Sequence, residues 1–211
     1  MYQALRPHAA LRLLARHKTG LAGALLLGCS ALAHAHHDGP EVGGFAAGLL
    51  HPFTGLDHLL AMLAVGIWAA TLGRPKAWLL PLAFPLLMAA GAALGMAGVA
   101  LPAIEPGIAA SVVILGLAIL TAWRAPTAVA VGAVALFGVL HGFAHGAELP
   151  ADTSALQYAA GFLAATALLH LAGLAIGMVR LAPRGLLALR AAGGAIAATG
   201  LWLLAGVQGL V

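Results

Sequence analysis

The chain has 211 residues, of which 63% are hydrophobic and only 8% charged, and its mean hydropathy is +1.03. A water-soluble domain of this size could not cover such a composition with polar surface, so the chain reads as an integral membrane protein. Its pI of about 10 comes from ten Lys and Arg scattered along the sequence, with no basic patch interleaved with aromatics, which excludes nucleic acid as a partner.

The first 35 residues carry Arg6, Arg12, Arg16 and Lys18, then an apolar run from Gly20 to Ala33, then Ala31-Leu32-Ala33-His34-Ala35 with two small-x-small sites. This is the pattern of a secretory signal peptide. Cleavage after Ala35 leaves His36-His37-Asp38 at the new amino terminus, and cleavage after Ala33 is the alternative. An uncleaved anchor has only a short apolar run to span with. A lipoprotein site at Cys29 would place the bulky Leu27 badly and is outcompeted by the later cleavage site. That one cysteine excludes an internal disulfide.

Residues 36–211 then form one membrane domain. Apolar runs of spanning length recur between short Pro-, Gly- or charge-bearing connectors, and each crossing needs roughly 20 helical residues. The pattern predicts an all-α bundle of six transmembrane helices, at approximately 54–72, 77–98, 106–123, 127–146, 155–179 and 186–208. Residues 43–51 read as a helical or re-entrant lead-in that stops before Pro52, because a residue preceding proline is pushed out of helical geometry. Every positive charge after the signal falls in the connectors of one side: Arg74 and Lys76, Arg124, and Arg180, Arg184 and Arg190. The acids Asp38, Glu41, Asp57, Glu105, Glu148 and Asp152 fall on the other side or its edge. Lys and Arg near span ends favour the cytoplasm, so both mature termini are expected in the periplasm of a bacterial inner membrane. Spacings such as Gly91-x3-Gly95, Gly142-x3-Gly146 and Gly173-x3-Gly177 read as helix-packing seams. Six spans would allow a three-plus-three inverted repeat, but no internal sequence match supports one.

Two polar clusters stand out against this background. The first is His51-Pro52-x2-Gly55-x-Asp57-His58, at the mouth of span one. The second is His141-Gly142-Phe143-x-His145-Gly146-x-Glu148, where His141, His145 and Glu148 follow i,i+4 and i+3 spacing and would share a helix face. The topology brings both clusters to the same membrane face. Ionisable groups at membrane depth are costly and mark functional sites, and imidazole with carboxylate is a ligand set for divalent transition metals. Asp57 and His58 lie about 100° apart on a helix, so one of them is expected to support the other, as an aspartate that accepts the hydrogen bond of a ligating imidazole does. Met62, one turn below His58, is read as core filler. His170, alone in span five, is either a packing residue or a deeper relay. Glu105 at the start of span three is a helix-entry acid favoured by the dipole or part of an outer vestibule. His36 and His37 form a His-rich tip suited to catching a metal ion.

Together the two motifs resemble the HupE/UreJ family of nickel/cobalt permeases, as does the plan of a signal peptide followed by six spans. The resemblance implies inward movement of Ni(II) or Co(II) from the periplasm to supply hydrogenase, urease or cobalamin synthesis. On that similarity His51, Asp57, His58, His145 and Glu148 match the family's metal-handling positions. The expected partners are then a divalent metal ion as substrate and the lipid bilayer, with no permanently bound cofactor and no enzymatic activity. Two other readings of the clusters are an intramembrane zinc hydrolase, which lacks a His-Glu-x2-His helix here, and a metal sensor or scaffold that transports nothing.

Overall fold

The computed structural model describes residues 44–73, 75–149 and 153–210, and the expected signal peptide lies outside them. The described chain is all helical. Helix α1 is Gly44–Thr54, α2 Leu56–Leu72, α3 Leu79–Met96, α4 Ile104–Leu120, α5 Thr127–Ala147, α6 Ala155–Gly177 and α7 Gly185–Val207. Single 3-10 turns at Lys76–Trp78 and Met178–Leu181 lead into α3 and follow α6. Four of the helices, α3, α5, α6 and α7, are long and apolar enough to cross a membrane, and α1 with α2 makes a fifth if the bent pair is one span. Helix α4 is apolar but has 17 residues. The protein is therefore a multi-pass helical membrane protein.

These sequences form helices because hydrocarbon leaves the backbone no other partner than itself. Their surfaces are apolar outward as well as inward: Leu86, Leu136, Leu187 and Trp202 are all more than half exposed, as lipid-facing side chains are. Close packing between helices then depends on small residues. A Cβ on Gly91 would overlap the carbonyl of Val139, and one on Gly142 the carbonyl of Met88, so α3 and α5 pack backbone to backbone. Gly66 and Gly173 do the same for α2 and α6, and Gly116 and Gly193 for α4 and α7.

The break between α1 and α2 differs from expectation in place and cause. Helix α1 does not stop before Pro52; it carries Pro52 inside and ends at Thr54, whose hydroxyl donates to the His51 carbonyl at 2.8 Å. The bend of 82° falls at Gly55, which is extended with φ −95° and ψ 117°. Gly55 suits this position because a Cβ there would sit 2.8 Å from Asp57 Oδ1 and 2.9 Å from His58 Nδ1. The chain must turn tightly for those two side chains to fold back over it.

One end of the bundle is bound by Trp68, whose indole N–H donates to the Trp123 carbonyl at 2.9 Å, and by Arg190, whose Nε–H donates to the Leu120 carbonyl at 2.8 Å. The opposite ends of α2, α4 and α5, together with α1 and the start of α6, hold the polar clusters.

Candidate metal site

Four imidazoles from three helices meet at the bend. His51 comes from the last turn of α1, His58 from the first turn of α2, and His141 and His145 from the last turns of α5. Ring centroids are 4.6 Å apart for His51 and His145, 4.6 Å for His58 and His145, 5.0 Å for His58 and His141, and 5.8 Å for His51 and His58. Two sequence motifs separated by over eighty residues thus form one cluster.

Asp57 is the partner of His58. Its Oδ1 accepts from His58 Nδ1–H at 2.7 Å and from the His58 backbone N–H at 2.8 Å. That contact puts the proton on Nδ1 and turns the Nε2 lone pair away from the carboxylate. His58 Nε2 stands 2.8 Å from His145 Nε2. A proton shared between the two satisfies both nitrogens. A divalent ion would use the same geometry, since two imidazole nitrogens bound at about 2.0–2.1 Å and at right angles stand about 2.8–3.0 Å apart.

His141 is fully buried, and its Nδ1–H donates to the Phe137 carbonyl one turn back at 2.8 Å. Its Nε2 is therefore the free acceptor of the ring, and it is buried without a partner. Orphaned buried lone pairs are uncommon and call for an explanation. Among the described residues, however, no three His, Cys, Asp or Glu side chains are already arranged around one ion. The cluster holds a pair of nitrogens set as two corners of a coordination sphere, with His51 and His141 beside it.

The acids occupy the rim. Glu148 is the exposed residue that caps the carboxyl end of α5, its backbone N–H still bonded to the Ala144 carbonyl at 3.0 Å. Glu105, in the first turn of α4, stands within electrostatic reach of Glu148, Asp57 and His58. The vestibule reading of Glu105 thus gains a neighbourhood: three acids from three helices gather at one mouth, which raises the local cation concentration.

Met62 is fully buried in the hydrophobic core. His36 and His37 lie outside the described residues. Sequence reasoning passed over the aromatic wall: Phe162 lies 4.4 Å from the His145 ring and 5.9 Å from His51, Tyr158 lies 5.9 Å from His51, and Phe84 lies 5.4 Å from His141. Phe84 had a signal, being the one aromatic ring between Pro81 and Pro85 in an otherwise aliphatic run. His170 is 1% exposed and sits edge-on to Phe84 at 5.3 Å.

The family model described as HupE / UreJ protein matches residues 23–203, which take in both motifs and all seven helices almost to the end of α7. The chain belongs to the HupE/UreJ family. It is 47% identical over 180 residues to Protein HupE of Rhizobium leguminosarum bv. viciae, covering 85% of this chain and 94% of that relative. No solved structure matches it. Membership of the HupE/UreJ family, a transporter and accessory family, agrees with a permease rather than an enzyme.

Proposed function

We propose that this HupE/UreJ protein carries Ni(II) or Co(II) from periplasm to cytoplasm across the bacterial inner membrane, supplying a metalloenzyme such as hydrogenase or urease, or cobalamin synthesis. The ion is substrate, not a resident cofactor. Support comes above all from the His58 and His145 Nε2 pair at 2.8 Å, backed by the Asp57 carboxylate on the far side of His58. Here two Nε2 atoms meet, the His58 tautomer is held by Asp57, and the acids Glu105 and Glu148 stand at the mouth. His51, Asp57, His58, His141, His145 and Glu148 form the metal path in this reading. His36 and His37 serve as a capture tip on the mature amino terminus.

The path runs through six crossings, with α1 and α2 together as the first and α4 as the third, after removal of a signal peptide ending at Ala35. Both mature termini are then periplasmic. A serine hydrolase is disfavoured by the one serine inside a described span: Ser111 is fully buried and gives its hydroxyl to the Ile108 carbonyl at 2.6 Å.

Radiolabelled nickel uptake by cells without importers of their own tests this function, with cobalt and zinc as competitors. Expression of the chain should raise accumulated nickel, and excess cobalt should suppress it. Accumulation no higher than in control cells would overturn the proposal.

A further inference from the structure

Beyond the four-histidine cluster lies a second polar feature that the proposed path has not used. His170, on α6, is 1% exposed, and neither of its ring nitrogens has a hydrogen-bond partner. The backbone carbonyl of Pro81 lies near enough to act on the ring, outside the geometry of a full hydrogen bond. That carbonyl lacks its usual helix donor for a covalent reason. Pro85 lies four residues further along α3 and has no N–H, so the helix bond that would engage the Pro81 oxygen cannot form. In hydrocarbon such vacancies are costly, and here an unpaired imidazole stands near a carbonyl that has lost its i+4 donor.

This pair is continuous with the outer cluster. The rings of His58 and His141 are 5.0 Å apart, those of His141 and Phe84 5.4 Å, and those of Phe84 and His170 5.3 Å. The free Nε2 of His141 marks the inner limit of the outer cluster, and the fully buried Phe84 ring stands between it and His170.

We propose that His170 and the Pro81 carbonyl form a second, interior station for the transported divalent cation, reached from His141 when the Phe84 ring moves aside. The inference rests on the metal-transport reading above. One imidazole nitrogen and one carbonyl oxygen make a weak site, and weakness suits an intermediate station, because conduction requires each stop to release its ion. The outer cluster, with several imidazoles and a carboxylate, is the capture site; the interior pair offers the ion a partial replacement for its hydration shell where the path is otherwise apolar.

Cobalt binding and nickel uptake, measured on the full chain, test the station separately from the transport reading. Purified protein in lipid nanodiscs is titrated with Co(II) and followed by its visible absorption, comparing wild type with His170→Gln and His170→Leu. Wild type should take up a second ion after the outer site fills, and both variants should lose that ion and keep the first. In cells, both variants should lower maximal nickel uptake by about tenfold or more while leaving the half-saturating concentration close to wild type. A wild-type titration that ends at one ion overturns the station, whatever the variants do. So does wild-type uptake by His170→Leu present at normal level, since it shows that no ligand is needed at that position. If wild type binds two ions and moves neither nickel nor cobalt, the transport reading fails while the interior site stands.

Discussion

At the scale of single residues, the site separates groups that would touch the ion from groups that hold them. His58 offers Nε2 outward and is fixed through Nδ1 by Asp57. Replacing His58 by Ala removes a ligand, and Glu148→Gln removes a charge at the mouth; each should abolish measurable nickel uptake with the protein still at wild-type level in the membrane, as immunoblots of membrane fractions would check. Normal uptake by either variant would remove that residue from the path. Asp57→Asn is a gentler change. The amide oxygen can still accept from His58 Nδ1–H, but the negative charge that raises the basicity of the ring is gone, so metal affinity should fall about 10- to 100-fold with maximal uptake less affected. A concentration series distinguishes this from loss of a direct ligand.

Much of this was legible in the sequence, because a polar residue in an apolar chain announces itself. The supporting relation between Asp57 and His58 follows from their adjacent positions on a helix, and the convergence of the two motifs follows from counting spans. Distances between groups on different helices were not legible. Nothing in the letters places His145 Nε2 against His58 Nε2 or sets Phe84 against both His141 and His170.

At the scale of elements, the deciding feature is the bend at Gly55. It turns the carboxyl end of α1 and the amino end of α2 toward the same point, which is how residues seven apart, His51 and His58, come to sit around one site. Sequence rules placed the break at Pro52, whereas the helix absorbs that proline and yields at the glycine that the returning Asp57 and His58 side chains crowd. Gly55→Ala should therefore displace the Asp57–His58 pair and lower nickel uptake at least as far as Asp57→Asn, although it removes no polar group. Uptake equal to wild type would show that the pair tolerates the displacement. The glycine seams make a different prediction. Gly142→Val drives a branched side chain into the Met88 carbonyl and must part α3 from α5, at a cost of about 1–3 kcal/mol or more. Lower thermal stability in detergent and reduced membrane level should appear together, in contrast to the site variants, which should keep both.

For the whole molecule, the question is how a chain with four unambiguous long spans and one bent pair becomes a path with both ends defined. Its tightest pairings of long helices are α3 with α5, α4 with α7 and α2 with α6. Exchanging α2, α3 and α4 for α5, α6 and α7 turns the α2–α6 pair into the α5–α3 pair and returns α4–α7 to itself, which is the packing expected of a three-plus-three repeat. Sequence comparison within the chain shows no such repeat. The polar motifs open α2 and close α5, its counterpart under that exchange.

The crossing that fixes the topology is α4, at 17 residues about 25 Å long and short for a bilayer core of about 30 Å. If it failed to cross, five spans would remain and the carboxyl terminus would change sides. Its neighbours argue for crossing. The first turn holds Glu105 near Glu148, Asp57 and His58 at the polar mouth, while beyond its last turn the Trp123 carbonyl receives the Trp68 indole and the Leu120 carbonyl receives Arg190 at the opposite end. Between those ends Gly116, Gly193 and Gly200 keep it packed along α7, which is itself long enough to span. On the six-crossing proposal a helix whose two ends meet the two ends of the bundle crosses with it, the connectors supplying what its length lacks. Reporter tags beside Lys76, Arg124 and Arg184 should therefore read cytoplasm, and tags after Ala103, between Leu149 and Thr153, and at the carboxyl terminus should read periplasm. A cytoplasmic carboxyl terminus would make α4 re-entrant and reduce the crossings to five; a periplasmic one, with the tag after Ala103 on the same side, fixes six and puts the histidine cluster where the ion arrives.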